Sequence, residues 1–87
     1  MFVLRLLPAR GTATLRCDLP EPAQVALTVY DVLGREVARL VDGARQAGAH
    51  REPLDASVLP AGVYVVRLQA TGESAPFAAT ERLTIPE

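Results

Sequence analysis

Apolar and polar residues alternate along several short stretches of the chain, as in strands that bury one face of a sheet. The stretch 63–70 shows this most clearly, because Tyr64, Val66 and Leu68 fall on one face and Arg67 falls on the other. Prolines and glycines separate such stretches at about eight to twelve residues, a spacing typical of β-sandwiches. The pattern predicts seven strands, at residues 2–7, 12–19, 24–30, 36–41, 47–54, 63–70 and 77–85. We therefore expect an all-β, immunoglobulin-like antiparallel β-sandwich.

The connection between the third and fourth strands has the residues of a hairpin loop. In residues 31–35 the side chain of Asp31 can accept hydrogen bonds from nearby backbone amides, and Gly34 can adopt the left-handed conformation of a loop built on a type I turn. The strand that follows departs from alternation, since its apolar residues cannot all face inward. This irregularity predicts a bulge or an edge strand.

Two further turns are predicted from proline and glycine. The sequence Leu-Pro-Ala-Gly at 59–62 places Pro60 second and Gly62 fourth, as a type I turn favours. The pair Asp42 and Gly43 predicts a turn that ends the fourth strand.

Size and composition limit the chain to one packed domain, residues 1–87. Hydrophobic residues make up 49% of the 87 residues and charged residues 22%, which is too apolar for a disordered segment. Aromatic residues are only 5%, so the core must be aliphatic. The net charge of −1 provides no basic patch, which argues against nucleic acid as a partner.

The single cysteine and the N-terminus indicate no special chemistry. Cys17 cannot form an internal disulfide, and alternation places it on the apolar face of its strand, so we expect a small buried side chain. No apolar run approaches the roughly 20 residues of a membrane-spanning helix. Arg5 interrupts the first apolar stretch, which favours a strand over a signal peptide.

Residues suited to catalysis are present, but their setting is not catalytic. His50 has Asp55 and Ser57 nearby in the sequence, yet no serine lies in a Gly-x-Ser-x-Gly elbow. We expect a surface histidine beside Glu52 and no enzyme activity, and we expect no small-molecule substrate because a thin sandwich has little room for a pocket.

No metal or cofactor is expected either. One cysteine and one histidine do not make a zinc site. Three aspartates that could bind calcium are each better explained by a turn, namely Asp31, Asp42 and Asp55.

Two separated segments carry a resemblance to a known family. The first is Val-Tyr-Asp-Val-Leu-Gly-Arg-Glu-Val at 29–37, and the second is Leu-Pro-Ala-Gly-Val-Tyr at 59–64, with Ala-Gly-Ala-His at 47–50 between them. In order and spacing they resemble the C-terminal sorting domain of the bacterial type IX secretion system, and the related Ig-like domain of the flagellar hook-capping protein. The resemblance covers roughly residues 8–85.

The resemblance implies a non-catalytic signal at the C-terminus of a larger secreted protein. The implied partners are an N-terminally fused cargo, the outer-membrane secretion machinery and a sortase-like signal peptidase. The implied destination is the cell surface or the medium, after transit through the periplasm. The positions implied in recognition are those of the Gly-x-Tyr motif and the terminal segment: Gly62, Tyr64, Arg82, Leu83, Thr84 and Ile85.

Two positions depart from the family pattern, and two other functions stay open. Leu7 precedes Pro8 where the family often has asparagine, and Leu54 stands where it often has tryptophan. A structural or adhesive module would use an exposed strand edge. A carbohydrate-binding accessory module would use exposed aromatic rings, of which the chain has few.

Overall fold

The computed structural model describes residues 3–9, 12–55, 59–73 and 76–85. In these residues the chain forms seven strands and no helix. The strands are β1 (Val3–Ala9), β2 (Thr12–Leu19), β3 (Ala23–Tyr30), β4 (Glu36–Arg45), β5 (Gly48–Asp55), β6 (Gly62–Thr71) and β7 (Phe77–Ile85). Accordingly, no described segment is a helix long and apolar enough to cross a membrane.

The strands form two antiparallel sheets packed face to face. Sheet A has the order β1-β2-β5, and sheet B has the order β4-β3-β6-β7. The fourth strand therefore pairs with the third, whereas in the constant-type immunoglobulin arrangement it belongs to the other sheet. The expected all-β antiparallel sandwich of seven strands is confirmed.

The core between the sheets is aliphatic, as the composition predicts. Its most completely buried side chains are Leu15, Leu27, Val29, Val66 and Leu68. They come from β2, β3 and β6, the strands that lie inside their sheets, because an inner strand is covered along both sides by its neighbours. Strands β3 and β6 hold β4 and β7, the edge strands of sheet B, in place.

Strand β4 carries the irregularity that its sequence predicts. Leu27 pairs with Val41 and Thr28 pairs with Arg39, so the register shifts past one residue of β4, and a second shift follows between Val29 and Tyr30. Strand β4 is also an edge strand. The bulges turn part of its apolar sequence away from the core and discourage pairing with another chain.

The predicted turn at Asp42 and Gly43 is wrong. Strand β4 continues through both residues to Arg45, with Gly43 paired to Val25. Gly43 has φ of 153°, a conformation that suits glycine within an extended strand. The chain turns later, at Gln46 and Ala47, between β4 and β5.

The first strand also extends further than predicted. Pro8 lies within β1, opposite Ala13, and does not end the strand. Strand β1 is at the edge of sheet A, where a missing N–H can face away from the ladder. The expected start at Phe2 lies outside the described residues, and so does Ser57, the last residue of a local turn that the sequence predicts from Asp55.

Candidate functional site

The Gly-x-Tyr motif and the terminal segment are neighbours across two paired strands. Gly62 pairs with Ile85 and Tyr64 pairs with Leu83 in the antiparallel ladder of β6 and β7. Two segments about twenty residues apart in the chain thus form one end of sheet B.

The side chains of these segments divide between the two faces of the sheet. Tyr64, Leu83 and Ile85 are buried in the core, whereas Arg82 and Thr84 are exposed on the face of sheet B turned away from sheet A, which we call the outer face. Gly62 is exposed and has no side chain to present. Among the residues predicted for recognition, only Arg82 and Thr84 therefore present side chains to a partner.

Tyr64 has a structural partner inside the fold. Its hydroxyl donates a hydrogen bond to the carbonyl oxygen of Pro60 at 2.5 Å. The bond links the start of β6 to the bend before it. It also gives a partner to the buried hydroxyl of Tyr64, which would otherwise have none. Pro60 therefore acts through its backbone as well as its ring.

Removing this hydroxyl tests its structural role. Tyr64→Phe should lower the free energy of unfolding by about 1 kcal/mol, because the hydrogen bond is lost while the ring stays packed. Tyr30→Phe is the matched control, since Tyr30 is half-buried and its hydroxyl makes no hydrogen bond in the described part of the chain. Urea unfolding measures both variants. Equal losses in the two would show that the Pro60 contact contributes nothing.

The hairpin loop of residues 31–35 lies beside the same end of sheet B and is held by Asp31. The carboxylate oxygen Oδ1 of Asp31 accepts hydrogen bonds from the backbone N–H of Leu33 at 2.9 Å and of Arg35 at 3.0 Å. Its Oδ2 accepts one from Nε of Arg35 at 2.8 Å. Gly34 has φ of 82°, as the predicted turn requires. The predicted structural roles of Asp31 and Gly34 match this geometry.

These bonds favour the ionised form of Asp31 and make the loop sensitive to acid. The backbone N–H of Arg35 is the main cause that lowers the pKa of Asp31, with further contributions from the Arg35 side chain and the Leu33 N–H. A carboxyl whose pKa is lower in the folded chain stabilises the fold above its unfolded pKa. That stabilisation disappears as the pH falls through the folded pKa.

We therefore expect the advantage of Asp31 over an asparagine at the same position to depend on pH. The Tm of Asp31→Asn should lie below that of the unsubstituted chain at pH 6, and the difference should narrow below about pH 4. Glu73→Gln is the control, because Glu73 is exposed and lies outside the loop. The Tm difference between Glu73→Gln and the unsubstituted chain should be the same at both pH values. A gap that persists unchanged at pH 2.5 would contradict this role.

Large apolar side chains are exposed around the tip of the hairpin loop. Val32 is 74% exposed and Leu33 73%, and the nearby Val37 and Val65 are 39% and 38% exposed. A shallow depression on one side of the loop is lined by Val32, Val65 and Arg67, among others. A second depression on the other side shares Val32. These four residues are the exposed large hydrophobic residues of the described chain, and they adjoin one end of the outer face.

Charges on the outer face are unevenly balanced between its two halves. On β4, Arg39 bonds Glu36 at 2.7 Å and Asp42 at 3.0 Å, and these carboxylates raise the pKa of Arg39. On β6 and β7, Arg67 and Arg82 are exposed, and no carboxylate of the described residues pairs with either. The half of the face formed by β6 and β7 is therefore cationic.

The residues suited to catalysis lie elsewhere. Cys17 is buried and pairs in register with His50 of β5, whose ring Nε2–H donates to the carbonyl oxygen of Gln46 at 2.7 Å. Burial, and after it the charges of Asp18 and Glu52, raises the pKa of the Cys17 thiol, which disfavours the reactive thiolate. In the part of the chain that the structure describes, no group of three potential ligands could hold a metal ion. Ser57 lies outside it.

Sequence reasoning named Arg82 for recognition but gave no functional role to Arg67, Val65 or the tip of the hairpin loop. Val65 and Arg67 alternate with Tyr64, Val66 and Leu68, so period-two alternation alone places them on the outward side. The exposure of Val32 and Leu33 follows from their position at the tip of a tight hairpin. What the sequence does not reveal is that β7 brings Arg82 next to them.

A family model matches most of the chain. The family model described as the secretion system C-terminal sorting domain, Por_Secre_tail, matches residues 7–77 of the 87. No curated protein matches the chain. The matched range includes the hairpin loop, Gly62, Tyr64 and Arg67, and it stops before Arg82.

Proposed function

Because this chain belongs to the family of C-terminal sorting domains of type IX secretion, a class of non-catalytic signals in secreted or cell-surface proteins, we propose that it directs an attached cargo protein across the outer membrane. The cargo is fused to its N-terminal side and reaches the cell surface or the medium by way of the periplasm. The partners are the outer-membrane secretion machinery and a sortase-like signal peptidase.

The observation that carries this proposal is the family match over most of the chain. The structure supports it through the pairing of the Gly-x-Tyr motif with the terminal strand, because the two segments form one folded surface. We propose that Gly62 and Tyr64 serve mainly to build this surface. Leu83 and Ile85 anchor β7 in the core, and Arg82 and Thr84 are the side chains that a receptor contacts.

A fusion experiment tests the function. A reporter with a signal peptide is joined to residues 1–87 and expressed in a type IX-competent bacterium, beside the same reporter without the domain. We expect the fusion at the cell surface or in the medium and the bare reporter in the periplasm. Retention of the fusion in the periplasm would defeat the proposal.

Deleting the end of β7 would be a poor test of recognition. Residues 82–87 include Leu83 and Ile85, which are 4% and 8% exposed, so the deletion removes two core side chains. The truncated chain would lose secretion through misfolding alone. Substitutions on the outer face avoid this problem because they leave the core intact.

An adhesive module is the second candidate, favoured by one feature of the fold. Strand β7 is at the edge of sheet B and presents backbone groups along its free side. Such a module would bind its target without moving a cargo across the membrane. The fusion experiment separates the two, since adhesion predicts a periplasmic reporter.

A further inference from the structure

We infer that the outer face of β6 and β7, with the tip of the hairpin loop, binds an acidic extended segment of a partner protein. Carboxylates of that segment lie at Arg67 and Arg82, and an aliphatic side chain lies beside Val65 and Val32. This binding rests on the proposed function, for which it names the chemistry of the partner.

The first support is the position of the apolar residues. Val65 pairs with Tyr30 on one side and with Arg82 on the other, so these three side chains form a row across the outer face. Val32, at the tip of the loop, lines the same depression as Val65 and Tyr30. An aliphatic side chain placed there would remove exposed apolar surface from water.

The second support is the unbalanced positive charge beside this row. Arg67 pairs with Thr80, which makes Arg82 its diagonal neighbour across β6 and β7. Diagonal neighbours in a sheet interact, and like charges there disfavour each other. The carboxylates near these arginines are already bonded to other residues: Glu36 and Asp42 on the outer face to Arg39, and Asp31, which lines the depression, to Arg35. An incoming carboxylate would relieve the repulsion and accept hydrogen bonds from the two guanidinium groups.

Charge also discriminates between possible occupants. An extended anionic surface, such as a membrane, placed against the outer face would also meet the carboxylates of Glu36 and Asp42 on β4. A second copy docked by the same face would bring two further arginines against the first two, because a twofold interface joins identical patches. A short acidic segment meets only the local positive patch.

A binding assay tests this inference on the isolated chain. The probe is a fluorescent peptide that alternates leucine with glutamate, and its counterpart alternates leucine with lysine. We expect the acidic peptide to bind more tightly than the basic one and to weaken with added salt. The double variant R67E/R82E should bind the acidic peptide roughly tenfold more weakly and should prefer the basic one.

Arg51→Glu is the control for a charge reversal away from the proposed site, since Arg51 is an exposed strand arginine on sheet A. It should leave acidic-peptide binding unchanged. Circular dichroism verifies the fold of each variant, and R67Q/R82Q replaces the charge reversal if that variant unfolds. Equal weakening by R51E and R67E/R82E, or no salt-sensitive binding by the unsubstituted chain, would overturn the inference.

Two other outcomes would also overturn it by identifying a different occupant. One is tighter binding to vesicles of phosphatidylglycerol than to the peptide, lost in R67E/R82E. The other is a dimer in sedimentation that dissociates when Val65 is replaced by glutamate.

The reporter fusion separates failure of this inference from failure of the function. If the unsubstituted fusion is exported and R67E/R82E reduces export several-fold relative to R51E, both stand. If all three are exported equally, the acidic partner is wrong and the sorting function survives. If the unsubstituted fusion is retained, the sorting function fails, and the peptide assay still judges the binding surface.

Discussion

Replacing Val66 with alanine should lower the free energy of unfolding by about 2–3 kcal/mol, a large fraction of the stability of so small a domain. Val66 is 0% exposed and lies in the core between the two sheets. The change removes two buried methyl groups and leaves a cavity that tightly packed neighbours fill only in part. Most of the lost free energy comes from the reduced burial of apolar atoms and from the cavity.

The neighbouring valine provides a matched control for this result. Val65 is on the same strand and is 38% exposed on the outer face, so Val65→Ala should cost less than about 1 kcal/mol. Both variants lose the same two methyl groups, and both positions are on β6. Urea unfolding of both measures the difference, and equal losses would mean that β6 does not present alternate faces to core and solvent.

Replacing Gly34 with valine is the second change with a large expected effect. Gly34 has φ of 82°, a left-handed conformation that a β-branched residue adopts at a cost of about 1–3 kcal/mol. A Cβ added at Gly34 would meet no described atom within 4 Å. The expected loss is therefore conformational strain and not a steric clash with neighbouring residues.

Gly34→Asn distinguishes strain from other causes, because asparagine tolerates the left-handed conformation better than valine does. Its Tm should lie between that of the unsubstituted chain and that of Gly34→Val. An unchanged Tm for the valine variant would show that the hairpin loop does not hold this residue at positive φ in solution.

Much of the fold is predictable from the sequence because the information is local. The bounds of β2 and β7 agree with the predicted strands, and the inward faces of β3 and β6 follow from period-two alternation. The hairpin loop follows from one aspartate and one glycine. In each case the residue's own conformational preference and the alternation of its neighbours point to the same answer.

What the sequence does not predict depends on pairing between distant strands. Asp42 and Gly43 have the residues of a turn, yet they continue β4 because β3 is long enough to pair with them. Pro8 has the character of a strand end, yet it is tolerated at an edge of sheet A. The position of β1 at an edge is decided by the pairing of the whole sheet, whereas the irregular sequence of β4 indicates its edge position locally.

The candidate site is likewise predictable in part from local sequence, while the rest of it depends on pairing between distant strands. The Gly-x-Tyr motif and the terminal strand are recognisable in the sequence, and the pairing of Tyr64 with Leu83 joins them in the fold. Alternation along β6 alone predicts that Tyr64 points inward. The position of Val65, Arg67 and Arg82 on one face cannot be predicted in this way, since it depends on the register of β6 with β7.

The central claim is that this folded domain is the signal by which a cargo crosses the outer membrane. It is tested most directly by the secreted fraction of the reporter fused to residues 1–87, compared between a type IX-competent strain and the same strain without its outer-membrane translocon. We predict a mostly extracellular reporter in the first strain and a periplasmic one in the second. An identical distribution of the reporter in both strains would contradict the claim.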